Sequence, residues 1–505
     1  MTRAAARVLD SLALAASAAG VVVAGTGGGR PEAFVVAVAL LLGVRALVQP
    51  YALTLHHPAR AVAIAAAVYV VAMGFIVVTR HLALRTHALD LGQYAQTMWS
   101  IAHGYGATFT LIPEYVPGPR MHAWGDHFSP IFYVFAPLVR VAPSVSLVLV
   151  IQAMALAAGA LAVFHLARRH GELAAAGLAG VYLLNPSLHG INIRDVHPAA
   201  FVIPLLLAAA AAYDSRRFAW CAVAVTAAAA CREDAAVAVV GFGIWLALAR
   251  RRRMAGGLVA VAAVVLLAFD LMILMPAFRG DGPYHHLYRY THLGSGLGDI
   301  LLTLVARPWR WLPVLFTVPK LVYALAILAP FGFLPLLAPR ALAAAAPALA
   351  MNMLSVDPIL INPRSQYQAF VLPFLVLAAV EGWLTLRRWK GGTRIPGIAL
   401  GAAACFALIL TARTFNDFSM RNWRPGPDQR AAHALMVRIP ADAPVTANER
   451  LVPHLVMRKE IFVYPRGAGT SAFVIERADV LAKKPAHGYR ESARGGGWVL
   501  LERGP

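Results

Sequence analysis

The chain has 505 residues, of which 59% are hydrophobic and 14% are charged, and its formal net charge is +21. Soluble domains contain about 45–50% apolar and about 25% charged residues. This composition therefore excludes a soluble, disordered or disulfide-rich protein. Several apolar runs approach or reach the roughly 20 residues that cross a bilayer. We predict an all-α polytopic membrane protein with about 11–13 transmembrane helices.

Most basic residues lie in short clusters between the apolar runs, as at Arg168–Arg169, Arg216–Arg217, Arg250–Arg253 and Arg387–Arg394. The positive-inside rule predicts this distribution for cytoplasmic loops. If the chain starts in the cytoplasm, all of these clusters fall on the inner side. No water-soluble segment carries a basic stripe interleaved with aromatic residues, so we expect no nucleic-acid partner.

The same topology places three loops outside a cell membrane, at 80–130, 277–310 and 355–366. Two apolar runs, 172–190 and 312–336, are each predicted as one helix. The first run of the chain is either a transmembrane helix or a signal peptide.

The composition changes near the end of the multi-helix membrane domain, which we place at 1–413. Within 414–505 the apolar runs shorten and charges of both signs mix. Short strands are predicted at Ala443–Ala447, Ile461–Tyr464 and Gly497–Leu501, and a helix at Asp428–Arg438. We predict a small extracytoplasmic α/β domain there.

The first outer loop begins with HALDLGQYAQTMW, in which Asp90 and Tyr94 share one face of a predicted interfacial amphipathic helix. A carboxylate at the membrane surface is a candidate general base. Asp90 followed by Gln93 also has the spacing of a helix-capping box. The two interpretations are compatible, and both stay open here.

Farther along this loop, the segment WGDHFSP contains Asp126 and His127. Adjacent Asp and His side chains orient a proton or ligate a divalent ion in many sites. The alternative is a plain helix entry, with Ser129 as the cap and Pro130 in the first turn.

Two later turns carry ionisable residues between apolar helices. One contains Arg194, Asp195 and His197, and the other contains Arg232, Glu233 and Asp234. Charged residues inside membrane helices are costly, so they indicate a functional site more often than a simple connection. A purely structural turn, with Asp234 as a helix cap, is the alternative.

The outer loops 277–310 and 355–366 add aromatic, histidine and arginine side chains. A lid that stacks on a sugar and binds phosphate needs such residues, whereas an aromatic belt or lipid-headgroup anchor is the alternative. The candidates for substrate binding are these loop residues and five from the segments described above: Tyr94, Arg194, Asp195, His197, Arg232, Tyr284, His285, His286, Arg289, Arg364, Gln366 and Tyr367.

The ordered motifs ALDLGQYAQTMW, GDHFSP, RDVHP, CREDAA and RSQYQAFVLPF resemble a membrane family catalogued as domain of unknown function 2079. The resemblance runs from about Ala88 to the tail. That family is similar to the GT-C glycosyltransferases, which are multi-helix enzymes that use polyprenyl-phosphate sugars on the outer face of the membrane. The resemblance implies transfer of a sugar to an extracytoplasmic glycan, lipid or protein acceptor.

The same resemblance implies roles for individual residues. Asp90 matches the catalytic acidic residue of the first outer loop, and Asp126 or the Glu233–Asp234 pair are candidates for a second carboxylate. Arg232, Arg364 and Arg289 would neutralise the lipid phosphate, and a divalent cation such as Mg or Mn is a candidate cofactor.

Two other classes of function stay open at this point. One is a transporter or flippase for a lipid-linked or saccharide substrate, which predicts ionisable residues near the bilayer midplane. The other is a non-enzymatic membrane scaffold, which leaves the outer carboxylates and histidines without a purpose.

Overall fold

The structure is a computed structural model that describes residues 2–26, 29–48, 55–111, 121–280, 284–390, 394–415 and 425–504. Parts of the predicted outer loops, at 112–120 and 281–283, and the start of the predicted C-terminal domain, at 416–424, lie outside these ranges. Six helices of the described ranges are long and apolar enough to cross a membrane, or seven if one bent pair is a single span.

Helices dominate the first 415 residues. In the first half they are α1 (Thr2–Thr26), α2 (Pro31–Val48), α3 (Pro58–Leu82), α4 (Gln93–Ala102), α5 (Phe132–Val141), α6 (Val145–Ala167), α7 (Glu172–Leu183), α8 (Pro186–Ile193), α9 (Val202–Asp214) and α10 (Phe218–Ala229). The second half has α11 (Ala235–Leu248), α12 (Arg253–Phe269), α13 (Met275–Arg279), α14 (Leu297–Ala306), α15 (Pro308–Leu315), α16 (Val318–Leu328), α17 (Pro339–Leu342), α18 (Ala346–Leu354), α19 (Leu372–Lys390) and α20 (Arg394–Phe415).

Two runs that were predicted as single helices are broken, so that prediction was wrong. The first divides into α7 and α8 at Asn185, whose side chain accepts a hydrogen bond from Ser187 N (2.9 Å) and caps α8, while Pro186 occupies its first turn. The second bends by 60° between α15 and α16. Proline stands in the first turn of α16, where it starts a helix but cannot continue one.

Small residues bring the membrane helices close together. Gly243 of α11 faces Gly256 of α12, and a Cβ on Gly243 would lie 2.6 Å from the Gly256 carbonyl. At the far end of α11, the Arg250 guanidinium bridges Asp214 (2.7 Å) and Glu381 (2.6 Å). This ion-pair set connects the ends of α9 and α11 to the middle of α19.

Two short antiparallel strands, β1 (Thr108–Phe109) and β2 (Met121–His122), precede the C-terminal part in the chain. The strands and helices of the C-terminal part are β3 (Val445–Ala447), β4 (Ile461–Val463), β5 (Phe473–Arg477), β6 (Tyr489–Gly495), β7 (Trp498–Arg503), α21 (Pro427–Met436), α22 (Val452–Leu455) and α23 (Ala478–Lys483). The strands form one five-stranded sheet with the order β4-β3-β5-β7-β6. Strands β4 and β5 are parallel to β3, and β7 is antiparallel to β5 and β6.

These elements confirm the three predicted strands and the predicted helix of this region. Strands β5 and β6 were missed.

The sheet packs against the loop that precedes α5. The Thr110 hydroxyl donates to the Ile461 carbonyl (2.6 Å) and accepts from the Ile461 N–H (3.0 Å). From α4, the Gln96 amide donates to the carbonyls of Arg458 (3.3 Å) and Lys459 (3.4 Å). The C-terminal region therefore contacts the first loop directly through hydrogen bonds.

Three histidines lie where the end of α3 meets α21 and α22. The ring of His454 stacks on His81 with centroids 3.8 Å apart and meets His433 edge-on at 5.0 Å. His433 Nε2 lies 2.8 Å from the Leu82 carbonyl. Burial, followed by the charges of His81 and His433, holds the pKa of His454 well below its usual range. The folded protein therefore favours the neutral form of the His454 ring.

Acid should weaken this contact. A histidine whose pKa is depressed in the folded state costs no stability above its unfolded pKa of about 6.5, and it destabilises the fold as the pH falls below that value. We expect the Tm of the detergent-solubilised protein to fall between pH 7.5 and pH 5, and to fall less for His454→Phe, which retains a stacking ring. An equal fall in both proteins would contradict this account.

Candidate functional site

Asp90 lies in the short segment Ala88–Gly92 between α3 and α4. Its backbone has φ +62° and ψ −84°, a conformation that is rare and strained for a residue with a side chain. Helix α4 begins only at Gln93 and has no side-chain cap. The capping-box interpretation was therefore wrong. The predicted amphipathic helix was also mistaken in its setting, because Tyr94 and most of α4 are buried.

Histidine 197 faces Asp90. Its Nε2 lies 3.4 Å from Asp90 Oδ2, with the His197 side chain 3% and the Asp90 side chain 48% exposed. Gln152 of α6 holds this turn, because its side chain accepts from His197 N (2.9 Å) and donates to the Asp195 carbonyl (3.0 Å). The edge of the Tyr94 ring faces the His197 ring.

Electrostatics keep Asp90 ionised. Partial burial raises the pKa of Asp90, but His197, His127 and Arg232 together hold it below its usual value. Asp195 behaves differently, because burial raises its pKa to about 6, with Asp90 adding to the increase and His197 opposing it. Asp195 also has a positive φ of +37°. Two strained aspartates therefore flank His197.

A second cluster surrounds Glu233, whose side chain is fully buried. Its carboxylate accepts from His127 Nδ1 (2.7 Å), Phe128 N (3.0 Å) and the Tyr284 hydroxyl (2.8 Å). The His127 ring stacks on His286 with centroids 4.5 Å apart. These bonds connect the first loop, the α10–α11 turn and residues 284–290, which are called the lid segment below.

The charges of this cluster support one another. Burial lowers the pKa of His127, but Glu233 and Asp126 raise it above its usual value. Burial raises the pKa of Glu233, and His127 and Arg232 bring it below its usual range. The pKa of Asp126 is likewise lowered against its burial, first by His127 and then by His286. We infer an imidazolium at His127 between two carboxylates.

Arg232 lies beneath both clusters with its side chain 2% exposed. It forms a bidentate pair with Asp234, at 2.6 and 2.5 Å, and its guanidinium lies over the rings of Tyr367 and Phe370. Asp234 precedes α11 without capping it through its side chain. This geometry supports a structural pairing of the two residues.

Arg289 is the cation at the lid. Its guanidinium donates to the Tyr367 hydroxyl (2.5 Å) and lies 3.3 Å from Asp357 Oδ2. Asp357 also accepts from the Tyr288 hydroxyl (2.7 Å). These bonds join the lid segment to the loop before α19.

The structure brings together most of the residues predicted for the site. The remaining four are Arg194, His285, Arg364 and Gln366. Arg194 is exposed at the end of α8, and His285 is exposed on the lid. Arg364 packs against Gly190, where an added Cβ would lie 2.4 Å from the Arg364 Cβ. The Gln366 side-chain oxygen is buried without a hydrogen-bond partner in the described part of the chain.

Sequence reasoning missed four residues that position the site. Gln93 donates to Asp126 Oδ2 (3.0 Å), and Arg279 donates to the Gly125 carbonyl (3.1 Å). Gln152 holds the His197 turn, and Asp357 holds Arg289. A lone glutamine in the apolar α6 is a signal that could have identified Gln152. Asp357 lay within a loop that was already assigned to the site.

Three side chains of the site, those of Asp126, His127 and His286, could hold a metal ion. One ligand atom each from Asp126, His127 and His286 lie within 4.8 Å of one another. Two imidazoles and a carboxylate with an open fourth position suit zinc better than magnesium. Glu233 accepts from His127 Nδ1, as the outer carboxylate of many metal-bound histidines does, and a metal that binds Nε2 would displace the proton from that nitrogen.

We expect the purified protein to bind about one Zn²⁺ per chain, with Mn²⁺ weaker, as measured by metal analysis after dialysis and by titration. His286→Ala removes a ligand and should lower affinity at least about tenfold. His285→Ala, which changes the neighbouring exposed histidine, is the matched control. Equal zinc content in His286→Ala and wild type would rule out this donor set.

The Arg232–Asp234 pair should support folding. Asp234→Asn leaves a buried guanidinium without its counter-charge, which costs about 3 kcal/mol when a partner is removed from a buried pair. The variant should show a clearly lower Tm in detergent, whereas Asp299→Asn, an exposed substitution, should not. An unchanged Tm for Asp234→Asn would contradict the structural role.

The fold and this centre define a multi-helix membrane protein with a paired acidic and histidine site at one end of its helices. A family model described as "Predicted membrane protein (DUF2079)" matches residues 80–502, so the chain belongs to that family. No curated protein matches the chain significantly.

Two solved structures of ArnT from Cupriavidus metallidurans are similar to this chain. The one bound to undecaprenyl phosphate is 14% identical, with a TM-score of 0.48 over 86% of this chain and 97% of that chain. The apo structure is also 14% identical, with a TM-score of 0.48 over 85% of this chain and 96% of that chain.

Proposed function

We propose that this protein is a membrane glycosyltransferase that transfers a sugar from a polyprenyl-phosphate donor to an extracytoplasmic acceptor, with Asp90 as the general base. The observation that carries the proposal is the exposure of Asp90. Its carboxylate is half-exposed and ionised on a strained backbone, whereas Glu233 is fully buried and Asp234 is paired with Arg232. Asp90 is therefore the acidic group best placed to meet a substrate.

The proposed reaction inverts the configuration at the anomeric carbon of the sugar. Asp90 accepts the proton of the acceptor hydroxyl, and that oxygen forms a bond to the anomeric carbon. The bond between the anomeric carbon and the phosphate oxygen breaks, and its electron pair leaves with the lipid phosphate. His197, 3.4 Å from Asp90, orients the carboxylate.

The leaving phosphate needs positive charge nearby. Arg289 lies on the lid, and Arg232 contributes its charge from below, although its guanidinium is committed to Asp234. The aromatic residues Tyr284, Tyr288 and Tyr367 offer surfaces for stacking on a sugar. This arrangement fits a phosphate-linked sugar better than a free saccharide.

The second carboxylate is best assigned to Asp195. The charge of Asp90 raises the pKa of Asp195, and the charge of His197 lowers it. Glu233 is instead bonded to His127, and Asp126 contacts Gln93 and His286. A pKa of about 6 lets Asp195 carry a proton at mildly acidic pH.

Helix α11 supports an outer placement of the site. This helix has 14 residues and is about 21 Å long, with Asp234 of the site before its start and the Arg250–Arg253 cluster after its end. Because arginine clusters are typical of the cytoplasmic side, their position favours the opposite, extracytoplasmic face for the site. A sugar donor that is attached to a carrier lipid on that face needs no soluble nucleotide.

Asp90→Asn should abolish transfer of a radiolabelled polyprenyl-phosphate sugar to candidate acceptors. Loss of a general base lowers the rate by about 10²–10⁴-fold. Folding is checked by Tm, and Asp299→Asn serves as the control carboxylate. Turnover in Asp90→Asn equal to that of wild type would overturn the assignment of the base.

A further inference from the structure

A cavity of about 340 Å³ lies at the opposite end of α11 from the candidate active site. Asp234 precedes this helix, whereas Ala249 and Arg250, which line the cavity, follow it. Because α11 has 14 residues and is about 21 Å long, the cavity and the candidate active site are separate regions. The volume of the cavity is within the range of about 300–1,000 Å³ that is typical of small-ligand pockets.

Contacts among several helices build this cavity. The Nε2 atom of His165, near the end of α6, lies 2.7 Å from the hydroxyl of Ser215, which follows α9. The turn between α6 and α7 lies against α19, because a Cβ on Gly171 would be 3.6 Å from Arg387 Nη1. The ion pairs of Arg250 join the ends of α9 and α11 to the middle of α19. Residues that are far apart in the chain therefore line one space.

The lining of the cavity carries charges of both signs. Its ionisable residues are His170, Asp214, Arg250, Glu381 and Arg388. Arg250 pairs with Asp214 and Glu381, yet the three side chains remain 24%, 29% and 22% exposed, respectively. His170 and Arg388 are exposed. A ligand in the cavity can therefore reach both basic and acidic groups.

The ion pairs of Arg250 use only part of the bonding capacity of these groups. The guanidinium donates three hydrogen bonds, from Nε and Nη2 to Asp214 and from Nη1 to Glu381, whereas a guanidinium has five N–H donors. Arg250 (2.6 Å) and Trp245 (3.4 Å) both donate to Oε1 of Glu381, and a carboxylate has about four acceptor positions on its two oxygens. The Arg250 guanidinium also lies over the Trp245 ring at 4.2 Å. A well-held arginine and carboxylate thus keep donors and acceptors for a ligand.

Aliphatic side chains complete the lining, among them Leu166, Leu377 and Leu384. Two of the arginine clusters, which begin at Arg250 and Arg387, are at this end of the helices. Such clusters are typical of the cytoplasmic membrane surface, where phospholipid headgroups lie. A charged cavity with an aliphatic wall at that surface fits an amphipathic molecule better than a soluble ion.

We propose that this cavity binds the headgroup of a phospholipid that carries a primary amine, as phosphatidylethanolamine does. The phosphate accepts hydrogen bonds from Arg250, Arg388 and His170, and the ammonium donates to Glu381. A headgroup with a phosphate alone would place a like charge beside Asp214 and Glu381, and a choline headgroup has no N–H group to donate. The proposal does not rest on the proposed function.

The test is lipid binding to the full chain in detergent, measured by native mass spectrometry and by the rise in Tm. The probes are phosphatidylethanolamine, phosphatidylcholine, phosphatidylglycerol and glycerophosphoethanolamine, which has the headgroup without acyl chains. Wild type should bind phosphatidylethanolamine about tenfold more tightly than the other three, because one charge-assisted hydrogen bond provides a difference of that size.

Three variants address the cavity itself. Arg388→Gln should weaken binding of phosphatidylethanolamine about tenfold, whereas Arg388→Lys, which keeps the charge, should retain most of it. Ala249→Leu fills part of the cavity without removing a charge and should also prevent binding. Arg340→Gln changes an exposed arginine outside the lining and is the matched control.

Equal binding of phosphatidylethanolamine by wild type, Arg388→Gln and Ala249→Leu, with all three folded by Tm, would overturn the proposal. Binding of phosphatidylcholine or phosphatidylglycerol as tight as that of phosphatidylethanolamine would also overturn it. Equally tight binding of glycerophosphoethanolamine would show that the ligand is not a lipid. Because Asp90→Asn should bind the lipid normally, failure of the proposed reaction would be distinguishable from failure of this proposal.

Discussion

The α10–α11 turn removes three consecutive charges from water, and the surrounding structure has to neutralise them. Arg232 is paired with Asp234, and Glu233 is paired with His127. An uncompensated charge in such a place costs several kcal/mol. Arg232 and Asp234 neutralise each other within the turn, so only Glu233 needs partners from other parts of the chain. His127 comes from the first loop, and Tyr284, which also bonds to Glu233, comes from the lid. The turn therefore determines where both loops lie.

Charge pairing also separates the four predicted carboxylates by their exposure. Glu233 is fully buried and Asp126 and Asp234 are 17% exposed beside their partners, whereas Asp90 is 48% exposed. Its strained backbone is tolerated because contacts hold both sides of the segment. His197 is held by Gln152, and α4 is buried against the C-terminal region through Gln96. Strain at a single exposed acid, enclosed by a rigid frame, is typical of functional positions.

Much of this arrangement could be predicted from the sequence, because charge in an apolar chain is conspicuous. Arg232 and Glu233 were recognised by their cost between membrane helices, and Asp126 and His127 were recognised as adjacent ionisable residues in an outer loop. The pairing of Glu233 with His127 could not be predicted, since the two residues are far apart in the chain. Asp90 was expected to start a helix, and its positive φ depends on tertiary contacts that no local pattern encodes.

The Thr110 hydroxyl has a consequence for assembly. Strand β4 is an edge of the five-stranded sheet, and edge strands readily pair with other chains through their open N–H and C=O groups. One threonine hydroxyl satisfies both groups of Ile461, as a neighbouring strand would. The first loop thus covers the β4 edge at Ile461. A C-terminal region that has not yet met the membrane domain leaves these two groups open to pairing with another chain.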